Sequence, residues 1–245
     1  MAPARIPCAL LAVVVLGGCG SSGGTTPPMV TVLSYSIVPL IEPPASAAIG
    51  TAIPVAFAVT ENESDGTSRP ASGKEILVEV TAGGGTVNGG VTTSMVTGAD
   101  GSDSLTWMLS NTAGTQSIRA YDPQSGHYLG LTMLANPGPP VSVVLVTPPS
   151  TTATVGVLLA RQPAFQIVDA YGNPSPISGA PINDFIASGG GVLGGNRMAL
   201  SNPSGSVIFT DLTINGVTGV VTLVFKFFIN DNEVDVMSAP ITVSP

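Results

Sequence analysis

The stretch Ala82–Gly90 reads AGGGTVNGG, and SGGGVLGG follows from Ser188 to Gly195. The glycines hold a nearly constant offset. Gly83 and Gly189 are 106 residues apart, Gly73 and Gly179 are 106 apart, and Gly114 and Gly219 are 105 apart. Three markers at one offset identify a tandem duplication. The chain must therefore fold as two similar units of about 105 residues each, the size of a small β-sandwich.

What lies between the glycines is strand-like. VTVLSYSIV, IPVAFAV, EILVEV, SLTWML, QSIRAY and HYLGLTML alternate or run apolar over short lengths, bounded by Gly, Pro, Asn, Asp and Ser. ANPGPP, from Ala135 to Pro140, then interrupts, and VSVVLV, AFQIVDA, PINDFIA, SVIFTDL, GVVTLVFKFFI, EVDVM and PITV continue in the same style. No segment keeps a helical period. The 30 Gly and 22 Pro would suit a disordered chain, but a hydrophobic content of 44% argues for a buried core. Alternation points Val55, Phe57, Val59, Ile76, Val78, Val80, Leu105, Trp107, Leu109 and Ile118 inward in the first unit. In the second it selects Phe165, Ile167, Val207, Phe209, Val221, Leu223 and Phe225.

A glycine-rich loop can also cradle phosphate, which requires Lys and Ser or Thr after the last glycine. Here Gly90 leads into VTTSM and Gly195 into NRMAL, so both clusters read as turns that need positive φ and close backbone approach.

The second unit carries DAYGNP at Asp169–Pro174, followed by SPISGAPI, SGGGVLGG and NPSGSVIFTDLTINGVTGVVTLVF. This series resembles bacterial Ig-like repeats of the invasin and intimin type. In the first unit TGADGSDSLTWML and NTAGTQSIRA match the later elements, while the longer acidic loop ENESDGTSRP replaces DAYGNP. The resemblance covers most of both units. It implies an all-β chain of two tandem immunoglobulin-like β-sandwiches, a fold that hosts many unrelated roles.

The N-terminus has one basic residue, Arg5, an apolar run from Cys8 to Leu16, and then small residues, the three parts of a secretory signal. Leu16-Gly17-Gly18-Cys19 resembles the lipobox of bacterial lipoproteins. That resemblance implies acylation of Cys19, cleavage before it, and a lipid anchor strong enough to hold the protein at a membrane. In Gram-negative lipoproteins an Asp after the cysteine favours inner-membrane retention; here that position is Gly20, so for a Gram-negative organism the resemblance implies the outer membrane or cell surface. The expected organisation is a signal peptide over 1–18, a lipidated cysteine and flexible linker over 19–28, a first Ig-like domain over 29–136, a Pro-rich hinge over 137–140, and a second domain over 141–245.

Catalytic chemistry finds little to work with. His127 is the only histidine and sits beside a turn, and no nucleophile motif accompanies it. Once Cys8 leaves and Cys19 is acylated, no thiol remains for zinc or a disulfide. Calcium is the one metal the residues leave open, with Asp231, Glu233 and Asp235 as candidate ligands in an oxygen-rich loop. The same loop also reads as a hairpin turned by Asn230-Asp231-Asn232.

A formal charge of −8 and the lack of any Lys or Arg cluster exclude nucleic acid as a partner. The expectation is a lipid-anchored, non-enzymatic envelope protein whose tandem domains form a structural or adhesive presentation module for a protein or glycan partner, with no cofactor beyond the covalent lipid. The alternative is a carbohydrate-binding or enzyme-associated accessory module. That role calls for exposed aromatics on one face, for which Tyr35, Tyr121, Tyr128 and Tyr171 are the candidates.

Overall fold

The computed structural model describes residues 29–229 and 232–245, and among these every regular element is a strand. The first half contributes β1 (Val32–Ile41), β2 (Ser46–Ala48), β3 (Ala52–Glu63), β4 (Ser68–Pro70), β5 (Glu75–Ala82), β6 (Thr86–Val87), β7 (Thr92–Val96), β8 (Ser102–Met108), β9 (Gly114–Tyr121) and β10 (Tyr128–Asn136). The second half contributes β11 (Ser142–Thr147), β12 (Thr152–Thr154), β13 (Ala164–Val168), β14 (Pro181–Ser188), β15 (Val192–Gly194), β16 (Met198–Leu200), β17 (Ser206–Ile208), β18 (Thr213–Asn215), β19 (Gly219–Ile229), β20 (Asn232–Met237) and β21 (Ile241–Ser244).

The two halves share one topology. In the first, a sheet ordered β1-β3-β8-β6, with β4 on β3, faces a sheet ordered β2-β10-β9-β5-β7. In the second, β11-β13-β17 faces β12-β21-β19-β14-β16, and β15 pairs β18. Strands β20 and β21 together take the place of β10. Both pair β19, and the break between them falls at Ser238–Pro240, where proline cannot donate to the ladder.

Each half has its own core, because alternation along the paired strands sends every second side chain between the sheets. The first is centred on Trp107, Phe57, Ile76 and Val78, all fully buried. The second is aromatic, with the Phe165 ring 4.7 Å from Phe225 and 5.2 Å from Phe227. The residues that alternation selects for the interior are all buried except Val80, which is half-buried against the first core.

The repeated glycines do the same task twice. Gly83 (φ 75°) and Gly189 (φ 94°) let the chain cross closely over the start of the neighbouring strand. A Cβ on Gly83 would lie 2.5 Å from Gln116 Cγ, and one on Gly189 would collide with the Val220 carbonyl. Only glycine satisfies both the dihedral and the space.

Candidate functional site

The DAYGNP turn follows β13 and forms the joint between the sandwiches. Asp169 Oδ1 accepts the backbone N–H of Tyr171 and of Asn173, each at 2.9 Å. Its Oδ2 accepts from Gly138 N at 2.8 Å and from Asn173 Nδ2 at 2.9 Å. Asn173 then reaches the first sandwich: Nδ2 donates to the Asn111 carbonyl at 2.8 Å, and Oδ1 accepts from Ala113 N at 2.9 Å. Both side chains are buried. Burial pushes the Asp169 carboxyl up, but the donors from Asn173, Gly138 and Tyr171 outweigh it and hold the pKa down at about 2. The corresponding turn in the first sandwich tips a longer hairpin, β3–β4, where Asp65 Oδ1 accepts from Thr67 N and Thr67 Oγ1 and, among the described residues, hydrogen-bonds nothing beyond its own loop.

At the opposite pole of the first sandwich lies a polar cleft of about 300 Å³, formed where the β4–β5 turn and the β9–β10 loop meet β1 and β3. Tyr35 and Glu61 are register partners on β1 and β3, which places both on its wall. Lys74, its side chain nine-tenths buried, lies 3.0 Å from Asp122 Oδ2, donates to Gln124 Oε1 at 3.1 Å, and stands 3.9 Å from the Tyr35 ring centroid. Burial pushes the Asp122 carboxyl up, and hydrogen bonds from Ser125, Gln124 N and Lys74 overcome it to hold the group below the usual carboxylate range.

Of the candidate residues named from the sequence, Cys19 and Asp231 lie outside the described residues. Glu233 and Asp235 flank Lys226, an ion-pair arrangement across β19 and β20 that raises the lysine pKa. Among the described residues no group of three or more His, Cys, Asp or Glu is placed to hold a metal. His127 is exposed in the β9–β10 loop. The four tyrosines do not form one strip. Tyr121 and Tyr128 face each other across β9 and β10, with the Arg119 guanidinium 4.9 Å from the Tyr121 ring centroid, while Tyr35 is in the opposite sheet and Tyr171 in the joint turn.

Residues 138–245 match a family profile described as SMCHD1 Ig-like domain 6. The fold is Ig-like. No curated protein matches the sequence. Solved structures similar to the chain include the Escherichia coli adhesin FdeC, at 17% identity over 89% of this chain and 66% of that one, with a TM-score of 0.39. Yersinia pseudotuberculosis InvD is 16% identical over 86% of this chain and 58% of that one, TM-score 0.44. A β-glycosidase from Bacteroides vulgatus is 16% identical over 85% and 24%, TM-score 0.34. The chain thus spans just under two thirds of the FdeC chain and less of the other two.

The second Ig-like sandwich holds one residue that its counterpart does not. Val78 pairs Ala120 in the first, and Asp184 pairs Phe225 in the second, at offsets of 106 and 105. Asp184 is fully buried, and neither carboxylate oxygen has a hydrogen-bond partner among the described residues. Arg197 Nε stands 3.8 Å away, too far for a hydrogen bond. Desolvation dominates, so the Asp184 pKa is pushed up to about 6 despite Arg197.

Proposed function

We propose that the protein is a lipid-anchored, non-enzymatic component of the cell envelope, held through Cys19 at the outer membrane or cell surface. Its paired Ig-like sandwiches form a structural or adhesive presentation module. The observation that carries this reading is the joint. Asp169 and Asn173 tie the turn, the connecting segment at Gly138 and the pole of the first sandwich into one buried hydrogen-bonded group. A joint of this kind holds the second sandwich at a set angle to the first, as a module that displays a surface requires. The partner is a protein or glycan and, given the net charge of −8, not nucleic acid. The reading needs no cofactor other than the covalent lipid.

Cell fractionation with protease shaving of intact cells tests it, comparing the natural protein with Cys19→Ala. The reading predicts a membrane-bound natural form and a released variant, and release of both would contradict the anchor. A second reading, a carbohydrate-binding accessory module, is favoured by the polar cleft around Lys74.

A further inference from the structure

The cleft of the first sandwich is not something the fold requires. By strand register, Lys74 corresponds to Ala180, Asp122 to the buried Phe227 and Tyr35 to the exposed Val141, while Glu61 corresponds to Asp169 of the joint turn, so the second sandwich keeps a carboxylate at this place but has no ion pair there. A buried ion pair contributes little that well-packed apolar residues would not. Its presence in one copy only calls for another reason.

The ion pair leaves a characteristic set of groups available. Lys74 is occupied by Asp122, Gln124 and the Tyr35 ring. Tyr35, Ser72 and Glu61 line the cleft, and the two hydroxyls and the carboxylate make no side-chain hydrogen bond or ion pair among the described residues. Two of these can donate and all three can accept, so the wall can read a ligand that itself both donates and accepts. With Lys74 neutralised by Asp122, the carboxylates of Glu61 and Glu75 give the cleft a negative balance, which opposes anions. A volume of about 300 Å³ is at the small end of ligand sites, on the scale of one or two sugar rings.

From these groups we infer that the cleft binds a neutral pyranose of a glycan, with Glu61 accepting from a sugar hydroxyl and Tyr35 and Ser72 donating. The cleft lies at the pole where the described chain begins, opposite the joint. With the anchor at Cys19 and a linker that reaches at most about 30 Å, that pole stays near the membrane, so the ligand is a glycan of the cell's own envelope. This assignment names the partner for the anchored presentation module and rests on that reading.

The test applies the full-length protein in detergent micelles to an array of neutral hexose- and N-acetylhexosamine-terminated oligosaccharides, with oligolysine as a cationic comparator. Support is binding to at least one neutral sugar that Tyr35→Phe and Glu61→Gln each weaken about fivefold to tenfold, and that Glu233→Gln on the second sandwich leaves unchanged. Both cleft substitutions touch partly exposed groups and spare the Lys74–Asp122 pair, so the variants keep the fold. Binding to no sugar on the array overturns the assignment, as does sugar binding indifferent to both substitutions. Capture of oligolysine without any sugar, lost in Glu61→Gln, would make the cleft a site for a cationic partner and also overturn it. Anchoring is read separately by fractionation, so a negative array with membrane-bound protein removes the ligand and leaves the presentation module standing.

Discussion

Replacing Asp184 with the residue its counterpart carries should stabilise the second sandwich, and by more above a definable pH. Unfolded, the carboxyl titrates near 3.8, and folded near 6. Below the lower value both states are protonated and burial of Asp184 carries no ionic cost. Between the two, the unfolded chain ionises while the folded chain does not, so stability falls as pH rises. Above about 6 the full cost is present. A shift of this size corresponds to about 3 kcal/mol, reduced to about 2 kcal/mol by the screening that half-exposed Arg197 and nearby solvent supply. Asp184→Val also removes a buried carboxyl without hydrogen-bond partners, a gain present at every pH, so it should raise stability at pH 3.5 and raise it by about 2 kcal/mol more at pH 8. Trp107 is in the other core and does not report on this sandwich. The assay is therefore urea denaturation of the full chain followed by amide hydrogen exchange over β14 and β19. The converse substitution, Val78→Asp, should import the same pH dependence into the first sandwich. An Asp184→Val variant whose gain is equal at pH 3.5 and pH 8 would refute the reasoning, because the cost would then not be ionisation.

Three further outcomes follow from the packing. Gly189→Ala should destabilise the second sandwich by about 1 to 3 kcal/mol in thermal unfolding, since it forces a left-handed alanine against the Val220 carbonyl. An unchanged melting temperature would contradict the close crossing. Trp107→Ala should cost about 3 to 5 kcal/mol. Trp107→Phe should cost clearly less, because it also removes a buried indole N–H that has no acceptor among the described residues; equal losses in chemical denaturation would argue against that account. Asp169 is held as a carboxylate by its donors, so its contribution is present above the ordinary carboxylate pKa and is lost as pH falls through about 2. NMR titration of the Asp169 carboxyl should therefore find it ionised at pH 3, and a midpoint near 4 would contradict the hydrogen-bonded joint.

Most of the fold is legible in the sequence because it rests on local signals. Period-two alternation marks Phe57, Trp107, Phe165 and Phe225 for the interior, and the constant glycine offset marks where strands must cross. The sites are less legible because they depend on distant pairs. DAYGNP reads as a turn, but Asn173 finds its partners at Asn111 and Ala113, more than 50 residues earlier. Lys74, Asp122 and Tyr35 come from three separate segments, and no spacing announces that they converge. Asp184 is different: the 106-residue offset sets it on Val78, so comparing the repeats position by position exposes a carboxylate at a core site. Glu233 and Asp235, which read as part of an oxygen-rich loop, are two residues apart on β20 and have their nearest cation on the neighbouring strand at Lys226, a contact set by register.

Presentation by a fixed pair of sandwiches is tested most directly by the distribution of distances between them. Spin labels at Thr106→Cys and Ile208→Cys, both on exposed strand positions, would be measured by pulsed electron resonance in the full chain with and without Asn173→Ala. The account predicts one narrow distance distribution that broadens when Asn173 loses its bonds to Asn111 and Ala113. A distribution already broad with Asn173 in place would contradict it, because the joint would then hold no fixed angle.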